Sequence, residues 1–204
     1  MVTTAERVEF RGRFGSALTW AVAALCAVAL ALTVAEDPRQ ALRLAPVLAM
    51  VVVGVRLLYA RPAVVVHDGG VELRNVTRTV HLAWPAIQRV DTKYALTLET
   101  AYGTYSAWAA PAPGRARLRT ASREDTRHLP ESTYIGGAVR PGDLAGTASG
   151  DAAAYIRRRL DELRDAGYLD DPRLEHARPV VRWHVLDGLV VAALAAVAVV
   201  ARGV

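Results

Sequence analysis

Apolar and polar positions fall in blocks along the chain rather than being mixed evenly. Ser16 to Ala35 is a run of 20 residues without a charge. A helix of that length, at about 1.5 Å per residue, spans the roughly 30 Å hydrocarbon layer of a bilayer. Glu36 to Gln40 separates it from a second run, Ala41 to Ala60, whose charges, Arg43 and Arg56, lie within about a turn of its ends. Arginines so placed extend along the apolar stem to the headgroups. Pro46 falls in the first turns of this run, where a missing N–H costs little. A third run, Trp183 to Ala201, is rich in Ala and Val and carries Asp187 near its start. The pattern predicts three transmembrane helices, at 16–35, 41–60 and 183–201. The alternative for the first run is a cleaved signal peptide, since Arg7, Arg11 and Arg13 precede it and Thr33-Val-Ala35 resembles a small-residue cleavage site. The run is longer than the about 7 to 15 apolar residues usual for such a peptide. A buried helical hairpin in a soluble protein is the alternative for all three runs, and their length and lack of a polar stripe weigh against it.

Between the second and third runs the period changes. Ala63-Val-Val-Val-His67 is β-branched, Asp68-Gly69-Gly70 is hairpin-turn chemistry, and Val71-Glu-Leu-Arg74 alternates apolar with polar. After a turn at Asn75 to Thr79, Val80-His-Leu-Ala-Trp84 alternates again, and Pro85 ends it. Ile87 and Val90 mark the next strand, and Ala95–Thr100 and Tyr105–Trp108 form a hairpin around Gly103. An antiparallel meander of short strands is predicted. Arg115-Ala-Arg-Leu-Arg119 reads as one more short strand with three arginines on one face, and 120–150 loses periodicity and reads as mostly disordered. Order returns in an amphipathic helix from Asp151 to about Ala166, capped by Ser149 or Asp151. Ala153, Ile156, Leu160, Leu163 and Gly167 form its apolar face, and Arg157, Arg158, Arg159, Asp161, Glu162, Arg164 and Asp165 cover the rest. Gly167 is the expected C-cap and Asp171-Pro172 a stop.

Composition sharpens this division. The chain is 52% hydrophobic and 22% charged with a net charge of +5. The segment 61–182 holds 18 basic and 15 acidic residues, so its field is only mildly positive and gives no nucleic-acid signal. Lys93 is the only lysine, a skew that reads as coding bias of a GC-rich genome rather than selection for guanidinium chemistry. The single cysteine, Cys26, forbids an intramolecular disulfide, and Leu25 before it disfavours a lipoprotein site. Three arginines precede the first helix, one lies in the connecting loop and many follow the second. The positive-inside rule then places residues 1–15 and 61–182 in the cytoplasm and the carboxyl terminus outside, in a multi-pass plasma-membrane protein. The expected division is an amino-terminal segment 1–15, the two helices, a domain at 61–170, a linker at 171–182 and the third helix. Tyr59 and Trp183 stand at the expected interface.

Several strands followed by one amphipathic helix is the element order of a pleckstrin-homology (PH) barrel. The segments Val64-Val-Val-His-Asp-Gly-Gly-Val-Glu-Leu-Arg-Asn75 and Arg78-Thr-Val-His-Leu-Ala-Trp84, with Ile87 and Val90, carry a more specific likeness. The chain resembles the bacterial PH domain of actinobacterial membrane proteins, the type named after low molecular weight protein antigen 6. That resemblance covers 63–110 well, 151–167 moderately and the intervening loop not at all. It implies an antiparallel β-barrel or sandwich closed by one carboxyl-terminal helix, tethered to transmembrane helices. Its motif is one of packing and speaks for fold more than activity. One departure matters: the first hairpin here is the acidic turn Asp68-Gly69-Gly70, so phosphoinositide recognition by basic residues of that hairpin is not implied.

Candidate chemistry is sparse. His67, His81, His128, His176 and His184 share no ligand spacing, so no metal is expected, and no phosphate loop or nucleophile elbow occurs. No catalytic residue and no cofactor is expected, and Glu124-Asp125 and Asp170-Asp171 read as solvated loop carboxylates. Trp84 and Trp108 read as core aromatics, the alternative being one exposed at a rim. Arg115, Arg117, Arg119, Arg123 and Arg127 form a basic cluster that reads either as a solvated loop or as a contact to anionic headgroups or a partner. Arg56 and Asp187 lie at similar depth near one face of the membrane and are a candidate pair joining the second and third helices, the alternative being that Asp187 simply reaches the headgroups. Small residues every four positions, as at Gly188, Ala192 and Ala196, allow close helix approach, at a high chance rate in so alanine-rich a chain. The expected function is that of a non-enzymatic membrane protein presenting its domain to a protein or to the bilayer surface. The alternative is an accessory subunit of a transporter or envelope-assembly complex.

Overall fold

The computed structural model describes residues 7–111, 134–135, 138–139, 146–169 and 178–203. The chain divides into two units, one of Met1–Arg11 with Ala63–Arg182, the other of Gly12–Pro62 with Trp183–Val204.

The second unit is helical. Helix α1 spans Arg13–Glu36, and α2 spans Pro38–Val55 and continues as one wider turn over Arg56–Ala60. The wider turn is recorded by the Arg61 N–H donating to the Arg56 carbonyl, five residues back. Asp37 starts α2: its carboxylate accepts from the Arg39 N–H at 2.9 Å, and Pro38 supplies a preset φ. Helix α4 spans Val185–Gly203. Three helices are long and apolar enough to cross a membrane, at Phe14–Glu36, Pro38–Ala60 and Val185–Gly203. Their large apolar side chains point outward, Trp20, Leu25, Leu42 and Leu189 among them, a surface that water would not tolerate over such an area. Helix α2 packs against both α1 and α4. At the start of α1 the backbone of Gly15 lies so close to the Tyr59 carbonyl that a Cβ would collide with it.

The first unit is built of sheets. A five-stranded sheet, antiparallel from β1 to β4, has the order β1 (Val8–Phe10), β2 (Ala63–His67), β3 (Gly70–Arg74), β4 (Arg78–Ala83) and β10 (Val180–Trp183). A three-stranded sheet follows as β5 (Arg89–Asp91), β6 (Ala95–Thr100) and β7 (Gly103–Pro111), and a small hairpin pairs β8 (Tyr134–Ile135) with β9 (Ala138–Val139). Alternation decides the faces. Val64 and Val66, Val71 and Leu73, and Val80 and Leu82 point into one core with Leu96, Leu98, Ala107 and Ala110 of the second sheet. The Trp84-x-x-Ile-x-x-Val90 spacing runs through a 3₁₀ turn at Trp84–Ala86, and all three side chains enter that core. Helix α3, Ala148–Asp165, covers it with Ala152, Ala153, Ile156 and Leu160, and packs against β5, β6 and β7. Arg157 ties α3 to β5 through a 3.2 Å bond to the Val90 carbonyl.

Some expectations are corrected here. Among the described residues the strands form open sheets rather than a closed barrel. The 3₁₀ turn interrupts the ladder between β4 and β5, and at the other gap the Asn75 side chain stands in for a ladder. Its amide donates to the Ser106 carbonyl at 2.9 Å and accepts from the Trp108 N–H at 2.8 Å. The amino-terminal segment and the linker before α4 each contribute an edge strand. Helix α3 begins three residues earlier than expected, because the Thr147 hydroxyl caps it, accepting from the Gly150 N–H at 3.0 Å, while Asp151 accepts from Gly146. It ends at Asp165 with Ala166 as C-cap, and Gly167 follows with a φ of 73° that suits a residue without Cβ.

Candidate binding site of the sheet unit

The sequence-derived candidates separate when placed on the fold. Arg115, Arg117, Arg119, Arg123 and Arg127 lie outside the described residues, as does most of 120–150. Asp187, in the first turn of α4, forms its ion pair with Arg61, and Arg56 is exposed. Arg61 is the C-cap of the wide turn, five residues beyond Arg56. Trp84 is buried and its Nε1–H donates to the His67 carbonyl at 3.0 Å, whereas Trp108 is 58% exposed on the outer side of β7. A core role therefore holds for Trp84 and not for Trp108.

The outer face of the large sheet carries charge in register. Glu9, Val65, Glu72 and His81 sit side by side across β1 to β4. Arg74 donates to Glu72 at 2.9 and 3.2 Å and lies 3.9 Å from Glu9, and Arg7 reaches Glu72 at 3.9 Å. Burial pulls the Glu72 pKa up, but the Arg74 hydrogen bond and the charges of Arg74, His81 and Arg7 outweigh it and hold the carboxyl below its ordinary value. The same hydrogen bond to Glu72 raises the Arg74 pKa. These pairs fasten the three-residue β1, which precedes α1, to the sheet.

The inner end of the first hairpin holds a cavity of about 240 Å³. Val66, His67 and Asp68 from the β2 end, Trp84 from the 3₁₀ turn, and Tyr155, Arg158, Arg159 and Glu162 from α3 line it. Hairpin and helix supply side chains for distinct reasons. Gly70 has φ 148° and its position faces the Leu82 carbonyl so closely that a Cβ would collide, so only glycine closes this turn. The turn directs the Gly69 N–H onto His67 Nδ1 at 3.1 Å, so Nδ1 is the accepting nitrogen and Nε2 is left for other partners. On α3, residues 155, 158, 159 and 162 share a face at three- and four-residue spacing. Arg159 lies 2.9 Å from Glu162 and 3.7 Å from Asp68. Its pKa is raised, first by the hydrogen bond to Glu162. The Tyr155 ring packs on Phe10 of β1 with centroids 5.8 Å apart.

Sequence reasoning read Arg158, Arg159 and Glu162 as a solvated helix face and did not join them to His67 and Asp68. The signal available was a turn carrying His-Asp beside a helix with arginines in consecutive positions, but their meeting depends on how α3 crosses the sheets. Among the described residues no group of three His, Cys, Asp or Glu side chains could hold a metal ion.

No curated protein and no solved structure matches the chain. Residues 61–159, from the end of α2 through β2 to β7 and into α3, match the family model described as a bacterial PH domain, so this segment carries a PH-like domain.

Proposed function

We propose that this is a non-enzymatic, multi-pass membrane protein that presents its PH-like domain at the membrane surface to bind a protein or the bilayer itself. The observation that carries the reading is the way the sheet is assembled. Two residues separate β1 from α1, two separate α2 from β2, and one separates β10 from α4. The domain is thus joined to membrane-capable helices at three points and includes strands from outside the matched segment. Pairing of β1 with β2 supports a shared side for the amino terminus and the domain, and the arginine distribution supports the cytoplasmic side of the plasma membrane. Exposed Tyr94, Tyr102 and Trp108 supply the amphipathic aromatic surface from which binding patches are made.

The alternative, an accessory subunit whose helices carry the specific contacts, rests on the outward apolar side chains of α1, α2 and α4. One experiment separates the two. A photocrosslinking residue at Tyr94 or Trp108, or at Val190 on α4, is introduced into the full chain in native membranes. Protein or lipid adducts from the domain positions support the first reading. Adducts from Val190 alone transfer the contacts to the helices and overturn it.

A further inference from the structure

We propose that the cavity between the first hairpin and α3 binds a monoanionic carboxylate carried on an apolar or aromatic body, with the Arg158 guanidinium as its anchor. The inference concerns the sheet unit alone and goes beyond the question of what the domain docks on. Three observations carry it. First, the two cations of the lining are not equivalent. Arg159 is already matched by Glu162 at 2.9 Å and Asp68 at 3.7 Å, while Arg158 is exposed and has no carboxylate among the described residues. A guanidinium offers two parallel N–H groups that fit the two oxygens of a carboxylate.

Second, the remaining polar groups favour donation to an anion. The Nδ1 of His67 is occupied by the Gly69 N–H, which leaves Nε2–H as the ring's donor. The Trp84 Nε1–H is spent on the His67 carbonyl, so Trp84 offers the cavity a ring and not a donor. With Val66 and the Tyr155 ring, Trp84 supplies the smaller, apolar part of a mainly polar lining, where the body of the ligand would rest.

Third, charge balance selects the class of anion. Arg158 and Arg159 oppose Asp68 and Glu162, so the arginines and carboxylates of the lining balance. A monoanion set at Arg158 leaves the site one charge negative and a phosphate dianion two, so the smaller charge is repelled less by the two carboxylates of the wall. The volume of about 240 Å³ accommodates one side-chain-sized group rather than a large cofactor.

The test uses the full-length protein in phosphatidylcholine nanodiscs and ligand-observed NMR with phenylacetate, its neutral counterpart phenylacetamide, and inorganic phosphate, against empty nanodiscs. Phenylacetate is expected to bind and the amide not to compete. Binding is expected to weaken about ten-fold in Arg158→Gln, with a smaller loss in Arg158→Lys, which keeps the charge without the fork. Arg158 is exposed on a helix, and an unchanged thermal transition of both variants shows that the fold is retained. Equal binding of acid and amide, an unaffected Arg158→Gln, or phosphate competing as strongly as phenylacetate would overturn the assignment. A pentapeptide ending in a free Phe carboxylate, compared with its amidated form, separates the sources of the group. Competition by the free-ended peptide assigns the site to chain termini; binding of phenylacetate without such competition assigns it to small acids.

Discussion

At the scale of single residues, much of the sheet unit depends on side chains that replace missing backbone pairing. Asn75 both donates and accepts, to Ser106 and from Trp108, across a gap that the strands leave open. Asn75→Ala is expected to lose about 1–2 kcal/mol, because two backbone groups lose their partners but regain water at an exposed position. A fall of the thermal midpoint by a few degrees in detergent checks this, and an unchanged midpoint would remove the bridging role. Glu72 makes a prediction in pH. Its folded pKa is depressed, so its contribution is fully present above the ordinary Glu value and is lost as pH falls through the folded pKa. Wild type is therefore expected to be more stable than Glu72→Gln near neutrality, and the difference to shrink as pH falls below about 4.5, the ordinary value. Unfolding followed from pH 7 to 3 in both proteins measures that convergence. Glycine matters for steric reasons at Gly70 and Gly15, and Gly15→Ala is expected to loosen α1 from the end of α2, read as a lower midpoint of the helical unit.

At the scale of elements, the informative ones are short. Strand β1 has three residues, yet it covers the edge of β2, places Glu9 beside the Glu72–Arg74 pair and brings Phe10 against Tyr155. Removing residues 1–11 is expected to lower amide protection across β2 while leaving β6 and β7 protected, since those strands pair elsewhere. Uniform protection in hydrogen exchange would show that β1 is dispensable. Sequence periodicity located β2 to β7 and α3 because each has several alternating or helically spaced apolar residues. It could not locate β1 or β10, where three or four residues give too few positions for a period. It also gave no reason to stop Trp108 from being core: a strand-end aromatic has the same alternation whether its face is covered or bare.

At the scale of the whole molecule, the sheet takes its strands from before α1, between α2 and α4, and just before α4. An even number of crossings between β1 and β2 and a single crossing after β10 predict that the domain and the carboxyl terminus lie on opposite sides of the membrane. With Cys26 replaced by Ser, Tyr94→Cys is expected to react with an impermeant maleimide only after lysis, and Arg202→Cys in intact cells. Equal labelling of the two in intact cells would overturn that arrangement.

Partition of the chain into three apolar helices and a β-rich segment was readable from the amino-acid order, because the length of an uncharged run and the period of an alternating one are local properties. The same holds for the inward faces of β2 to β6 and for the apolar face of α3, though not for its cap at Thr147. Contacts between distant residues were not readable in that way. Arg61 rather than Arg56 pairs with Asp187, and Arg61 follows a widened turn that no composition rule sees. His67, Asp68, Arg158 and Arg159 form one cavity because α3 crosses beside the first hairpin, about ninety positions away along the chain. Such meetings are set by packing of the whole core, which is where the candidate site was decided.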